Sequence, residues 1–332
     1  MKVLVVGGAG YIGSHTCVDL VENGYDIVVV DNFSNSKPEA IDHIKEIIGK
    51  DFPFYEVDAC DKEALEEVFK KEKIDAVIHF AGYKAVGESV QKPLMYYHNN
   101  LLSTIVLCEL MDKYDCKKIV FSSSATVYGK PDHLPITEDF PLSTTNPYGT
   151  TKLMIEQILK DLYTSDPTWS ICVLRYFNPI GAHESGLIGE DPNGIPNNLM
   201  PYIVKVANKE LKELGVFGDD YDTPDGTGVR DYIHVCDLAH GHSLALNKLE
   251  KEEGIYYYNL GTGNGYSVLD IVNAFQTVNG VDVPYVIKDR RPGDIAACYA
   301  DPTKAYEELG FKAQYTLDDM CKSAWNYVTK NK

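Results

Sequence analysis

The first two dozen residues constrain this chain most. A short apolar run, Val3-Leu4-Val5-Val6, passes directly into Gly7-Gly8-Ala9-Gly10-Tyr11-Ile12-Gly13, and helical spacing of apolar residues follows over Ser14–Asn23. Gly8, Gly10 and Gly13 fit G-x-G-x-x-G, while Gly7, Gly10 and Gly13 fit G-x-x-G-x-x-G. Glycines so spaced let the backbone turn tightly from strand to helix and approach a pyrophosphate at the helix N-terminus. A glycine motif alone is weak evidence. This one has a strand before it, a helix after it, and Asp31 ending the next strand-like run 18 residues past Gly13. A carboxylate there can accept from both hydroxyls of an adenosine ribose but repels a 2′-phosphate. No arginine follows in Asn32-Phe33-Ser34-Asn35-Ser36 to receive one. The turn therefore predicts NAD rather than NADP.

The rest of the first half repeats the strand-then-helix alternation. Val3–Val6, Ile27–Val30, Phe54–Val57, Ala76–Phe80 and Ile119–Ser122 read as strands, and Ser170–Arg175 as a sixth. Ser14–Asn23, Lys62–Lys71, Leu94–Tyr114 and Tyr148–Tyr163 read as helices. Strands apolar on both faces and separated by helices predict a Rossmann-type, doubly wound parallel sheet. After Asn178 the texture changes, and Gly and Pro punctuate Gly181–Pro201. We expect a nucleotide-binding domain over residues 1–177 and a smaller substrate-binding domain over 178–332, with 233–262 packing back on the first. Ile255–Leu260 is the strand-like part of that return.

A charge of −18 argues against nucleic acid as a partner, because phosphate binding needs clustered Lys and Arg. Any anionic ligand must then be held by local arginines and backbone amides. No apolar run is long enough to span a bilayer, and the N-terminal one is too short for a signal peptide. A cytoplasmic location is expected. Cys17, Cys60, Cys108, Cys116, Cys172, Cys236, Cys298 and Cys321 contain no C-x-x-C pair and read as reduced thiols, without disulfides or a metal site.

Pro147-Tyr148-Gly149-Thr150-Thr151-Lys152 opens the helix before the sixth strand. Four residues apart, Tyr148 and Lys152 share a helix face. A phenol is a poor base at neutral pH. A nearby ammonium and a cationic nicotinamide favour the phenolate, which makes Tyr148 an acceptor for a substrate hydroxyl proton. Upstream, Phe121-Ser122-Ser123-Ser124 delivers hydroxyls to the C-terminal edge of the sheet, with Ser124 placed to orient that hydroxyl. Alone, Y-x-x-x-K is usually a solvated helix face. In chain order after the glycine turn, Asp31 and Ser124, it is far more specific.

With these residues in place, the chain resembles the extended short-chain dehydrogenase/reductases and, among them, the UDP-glucose 4-epimerases. The likeness covers essentially the whole length. It is carried by Gly7–His15, His79-Phe80-Ala81-Gly82, Lys84–Gln91, Ser122–Gly129, Leu174–Asn178, Gly194–Tyr202, Gly226–His234 and Tyr258–Gly261. The resemblance implies interconversion of UDP-glucose and UDP-galactose with tightly held NAD. Tyr148 would take the proton of the sugar 4-hydroxyl, while Lys152 contacts the nicotinamide ribose and tunes Tyr148. It also implies cofactor contacts from Gly7, Gly10, Tyr11, Ile12, Gly13, Asp31, Asn32, Asn35, Ser36, Asp58, Ala59, Phe80, Ala81, Gly82, Lys84, Asn99, Ser124, Tyr176 and Phe177. The nucleotide sugar would meet Lys84, Ser124, Tyr148, Asn178, Asn198, Leu199, Val216, Phe217, Arg230, Tyr232, Arg291, Asp294 and Cys298. Arg230 and Arg291 can each offer a planar fork of donors to a diphosphate.

Relatives that eliminate water or carbon dioxide commonly carry an acid just after the serine. Ala125 and Thr126 stand there in this chain, and neither titrates. Epimerisation needs only Tyr148 and the cofactor. An NAD-binding regulator without chemistry is the other reading; it predicts loss of Tyr148 or Lys152, and both are present. In the family, a bulky tyrosine at the position of Cys298 excludes N-acetylated hexoses. The smaller cysteine raises the expectation that UDP-N-acetylglucosamine and UDP-N-acetylgalactosamine are accepted, unless Cys298 merely packs beside Tyr299. The resemblance further implies a homodimer joined through Leu94–Tyr114 and Lys152–Tyr163.

Overall fold

The computed structural model describes residues 1–191, 196, 198–291 and 293–331, so Gly194 of the quoted Gly194–Tyr202 segment lies outside the described residues. Thirteen strands are described: β1 (Lys2–Val6), β2 (Asp26–Asp31), β3 (Phe54–Glu56), β4 (Ala76–His79), β5 (Lys118–Ser124), β6 (Ser170–Tyr176), β7 (Asn178–Ile180), β8 (Leu214–Phe217), β9 (Val229–His234), β10 (Gly254–Leu260), β11 (Gly265–Ser267), β12 (Tyr285–Lys288) and β13 (Ala297–Cys298). The helices are α1 (Tyr11–Glu22), α2 (Glu39–Ile48), α3 (Lys62–Lys71), α4 (Val86–Gln91), α5 (Pro93–Lys113), α6 (Pro147–Ser165), α7 (Leu199–Ala207), α8 (Val235–Lys251), α9 (Val268–Asn279), α10 (Thr303–Leu309) and α11 (Leu317–Lys330).

Seven strands form one parallel sheet in the order β10-β6-β5-β4-β1-β2-β3. The two-residue period of a strand explains its two cores. Val3 and Val5 of β1, with Ile27 and Val29 of β2, face α1, α2 and α8. Leu4, Val6, Val28 and Val30 face the opposite layer, built from α3, α5 and α6. Burying each such side chain stabilises the fold by roughly 1.5–3 kcal/mol, so no register shift of these strands is tolerated. β10 pairs along its whole length with β6, and α8 lies on α1.

A third core sits under β8, β9, α7, α9 and α11. Helices α9 and α11 both start with capping boxes, Ser267 with Asp270 and Thr316 with Asp319. β9 gathers β7, β11 and β13, while β12 pairs with β8. Asp231, fully buried on β9, accepts from the amides of Thr262, Gly263 and Ala300 and from the Thr262 hydroxyl. That carboxylate ties the turn after β10 to the segment after β13. Among the described residues, no helix is long and apolar enough to cross a membrane.

Candidate active site

The sheet order reverses between β1 and β4, and the crevice at such a switch point is where open α/β sheets bind ligands. A cleft of about 1090 Å³ opens there. Gly7 leaves β1 with a positive φ of 84°, its amide donating to Val30 O at 2.7 Å. A Cβ on Gly7 would approach the Ala81 nitrogen to 2.8 Å, and one on Gly13 would collide with the Gly7 carbonyl. Helix α1 begins at once, with no side-chain cap on its first turn and no acidic residue within it. Its first amides are thus left for an anion, as a dinucleotide pyrophosphate requires.

Asp31 closes β2, only 8% exposed. Its Oδ2 accepts from Ala9 N at 3.0 Å, and its Oδ1 from Phe33 N at 2.9 Å and Ser36 Oγ at 2.8 Å. A carboxylate offers about four acceptor sites, so three fix the glycine turn and the following loop and one stays open to a ribose hydroxyl. Asn32 bonds Asp58 at 2.9 Å, joining the ends of β2 and β3. None of the cleft-lining residues among those described is arginine; Lys37 lies there but is paired with Asp191. This end therefore fits NAD.

At the other end, Asn146 caps α6 by accepting from Gly149 N at 2.9 Å, and Pro147 takes the first helical position. That sets Tyr148 in the first turn and Lys152 one turn on. Lys152 Nζ donates to Ser122 O at 2.6 Å and Ser122 Oγ at 3.3 Å, and lies 4.8 Å from the Phe121 ring centre and 6.0 Å from that of Tyr148. Burial pushes the Tyr148 phenol above its ordinary value, while a hydrogen bond from Ser124 pulls it down. Burial also lowers Lys152 to about 8, against the opposing charge of Glu156. Here the structure differs from the simple expectation that Lys152 depresses Tyr148. In a poorly solvated site both ions are penalised, and Ser124 is the protein group that favours the phenolate. A bound nicotinamide would add the missing positive charge.

The expected residues fall into two groups. Gly7, Gly10, Tyr11, Ile12, Gly13, Asp31, Asn32, Asn35, Ser36, Asp58, Ala59, Phe80, Ala81, Gly82, Lys84, Asn99, Tyr148, Lys152, Tyr176 and Asn198 line the one cleft. Ser124 is not part of that lining and reaches the site through Tyr148. A second cluster lies around the ends of β8, β9 and β13. Arg291 bonds Asp294 at 2.9 Å and covers the Phe217 ring at 4.9 Å, while Arg230 lies 3.9 Å from the same carboxylate. Cys298 pairs in register with Arg230, and Tyr232 feels both arginines. Two side chains expected at the ligand are in the core. Val216 is 1% exposed and packs in the third core, and Phe177 is buried with Val127 and Tyr128, so only their backbones are available. Asn178 is exposed at the start of β7, and Leu199 begins α7.

Residues 4–324 match the family described as GDP-mannose 4,6 dehydratase. The UDP-glucose 4-epimerase of Bacillus subtilis (strain 168) is 64% identical over 331 residues, covering 100% of this chain and 98% of that protein. The chain belongs to the UDP-glucose 4-epimerase family. The solved UDP-glucose 4-epimerase of Bifidobacterium longum, in complex with NAD+ and UDP, superposes with a TM-score of 0.97 at 59% identity, covering 100% of this chain and 99% of that one. The enzyme of Stenotrophomonas maltophila, with bound NAD and formylated UDP-arabinopyranose, gives 0.98 at 48% identity over the full length of both chains.

Read as a member of the epimerase family, the chain has cleft residues that sequence inspection passes over. Glu39, Ala40 and His43 of α2 line the end near Asp31 and Asp58. The helical spacing of Ala40, Ile41, Ile44, Ile47 and Ile48 was the available signal for that helix. Glu190 lines the cleft and accepts from Lys84 at 3.2 Å and Asn198 at 2.7 Å. Tyr327 and Asn331, from the end of the chain, also line it, and no local pattern announces them.

Proposed function

We propose that this protein interconverts UDP-galactose and UDP-glucose by 4-epimerisation, with NAD resident in the cleft. The observation that carries the reading is the meeting, in one cleft, of an uncapped glycine turn with Asp31 and of a partly buried Tyr148 with a buried Lys152. Gly7 to Gly13, Asp31, Asn32 and Asp58 would hold the adenosine and pyrophosphate, and Lys152, Tyr176 and Phe80 the nicotinamide end. Bound there, NAD supplies a reversible hydride acceptor at C4 of the sugar. Tyr148 takes the 4-hydroxyl proton and later returns one, with Ser124 holding the same hydroxyl. Lys152 keeps positive charge beside the phenolate. Arg230 and Arg291 take the diphosphate, exchanging their contacts with Asp294 for it. Ala125 and Thr126 offer no second acid, and Thr126 is packed under the start of α6, so elimination lacks its proton donor.

Incubation of the protein, bound NAD first verified by its absorbance, with UDP-galactose should yield UDP-glucose. No conversion with NAD fully bound would favour the regulator. Cys298 supports the further reading that UDP-N-acetylgalactosamine is converted too, and the same assay with that sugar decides it. Three other expectations join the proposal: a cytoplasmic location, a domain division between residues 177 and 178, and a homodimer. Leu94 is 81% exposed, and Val90, Ile105, Leu142 and Met154 add apolar surface on or beside α4, α5 and α6. Light scattering at twice the 37.0 kDa chain mass supports the dimer; a monomer removes it.

A further inference from the structure

Residues 181–191 follow β7, and the last five of them line the cleft. Three sets of contacts fix their course. Side chains of α11 and the residue after it hold the segment from behind. Ser323 Oγ accepts from Ala182 N at 3.2 Å, and Asn326 donates to Glu184 O at 3.2 Å. Lys330 donates to Ser185 O at 2.6 Å, and Asn331 to Gly186 O at 2.8 Å. Ile188, 3% exposed, packs into the core beneath α1, α2 and α8. From the glycine turn, the Tyr11 hydroxyl donates to Gly181 O at 2.7 Å. At the front, two adjacent carboxylates reach opposite lips of the cleft. Glu190, its side chain 8% exposed, accepts from Lys84 Nζ at 3.2 Å, and Asp191 pairs with Lys37. Lys84 follows β4 and Lys37 follows β2, while β1 lies between those two strands in the sheet. A segment that touches both lysines with neighbouring residues must cross the C-terminal end of β1, where the glycine turn stands.

We propose that Glu190 and Asp191 fasten a strap across the pyrophosphate seat, and that this strap sets how fast NAD enters and leaves. The idea rests on the reading of the cleft as an NAD site. The uncapped amides of α1 are where a dinucleotide pyrophosphate would lie, and the strap spans that point. Passage of the cofactor then requires the strap to lift, which breaks the bonds of Glu190 to Lys84 and to Asn198. The two fastenings are unequal. Glu190 is shielded from solvent, where a charge-assisted hydrogen bond is strong. Lys37 and Asp191 have side chains 53% and 43% exposed, so theirs is the weaker hook. Because α11 holds the other end, the last helix of the chain governs a cofactor bound on the parallel sheet. A gate differs from a contact in its kinetics. Weakening a gate lowers the barrier in both directions and leaves the affinity alone, whereas losing a contact to NAD raises Kd.

Exchange of bound cofactor on the full chain separates the two. Protein loaded with isotopically labelled NAD is mixed with excess unlabelled NAD, without any sugar nucleotide, and release is followed by filtration. Glu190→Gln keeps the shape and can still accept from Asn198, but it removes the charge facing Lys84. It should speed release about tenfold, the equivalent of one hydrogen bond to a charged group, with Kd for NAD changed less than about threefold. Asp191→Lys sets two ammonium groups together and should speed release about threefold. Adding Lys37→Asp to that variant restores opposite charges and should return release to the parent rate. Unchanged release in Glu190→Gln, or a Kd that rises in step with the rate, overturns the strap. So does a reversed pair that fails to restore the rate, or a lowered melting temperature with release unaltered, which would mark a mere tie between two parts of the fold. A parent chain that binds no NAD overturns the cofactor reading, and the strap falls with it. Firm NAD binding with release unaltered in the variants removes the strap alone.

Discussion

The two halves of the site hold their charges in opposite ways. In the sheet half, Asp31 is buried and anchored by two backbone amides and a hydroxyl, and Lys152 is buried against a carbonyl. In the other half, Arg291 has a side chain 54% exposed, and its guanidinium is held by the Asp294 carboxylate three residues away and by the face of the Phe217 ring. Exposed ion pairs contribute only about 0–1 kcal/mol and exchange readily for another anion. On the proposed reading, a dinucleotide meeting the first region would find its donors and acceptors already in position, whereas a diphosphate meeting the second would have to displace a carboxylate. The contrast suits a cofactor that stays and a substrate that comes and goes.

Removing the proton acceptor should produce the largest effect. Tyr148→Phe should lose about 10²–10⁴-fold in kcat, the usual share of a positioned acid-base group, while NAD and UDP still bind. Binding is read by calorimetry and turnover by the UDP-galactose assay. Near-normal turnover would take Tyr148 out of its role. Asp31→Ala comes next. Loss of hydrogen bonds to a charged acceptor should weaken NAD about ten- to a hundredfold and narrow its preference over NADP. Because Ala9, Phe33 and Ser36 lose their acceptor too, the melting temperature should also fall. Unchanged affinity for both cofactors would break the comparison at its firmer half.

Arg291→Ala tests the looser half. It should raise KM for UDP-galactose about tenfold, as expected for one charge-assisted contact to phosphate, with NAD affinity unchanged. Equal losses in NAD and sugar-nucleotide binding would mean that the two regions are not separate.

How much of this was legible before folding follows the same division. Asp31, Tyr148 and Lys152 are announced by short-range patterns: a glycine turn, the end of a strand, a four-residue helical spacing. The parallel sheet is legible because each strand is apolar on both faces, as Val3 to Val6 show. What was not legible depends on contacts far apart in sequence. Glu190 reaches Lys84 across 106 positions, and Tyr327 lines the cleft from the opposite end of the chain. Val216 and Phe177 were expected at the ligand, but their side chains turn into cores that only the folded chain defines. The pull of Ser124 on Tyr148 likewise depends on burial and orientation, which spacing does not encode.

The smallest effect is in stability against pH, and its sign follows from Lys152. Burial lowers this ammonium from an ordinary value near 10.5 to about 8. Below about pH 8 both folded and unfolded chains carry the proton, and the folded state bears the full penalty of a buried cation. Between about 8 and 10.5 the unfolded chain binds more protons than the folded one, so this residue makes stability rise with pH. Lys152→Met removes the titration and the penalty together. The variant should therefore be more stable than the parent near pH 7, with the difference shrinking as pH approaches 10, roughly the ordinary value for a lysine. Denaturant unfolding at the two pH values checks it. A parent and variant that differ equally at both would place the Lys152 proton on a solvated group, and the sheet half of the site would then be no more buried in its electrostatics than the arginine half.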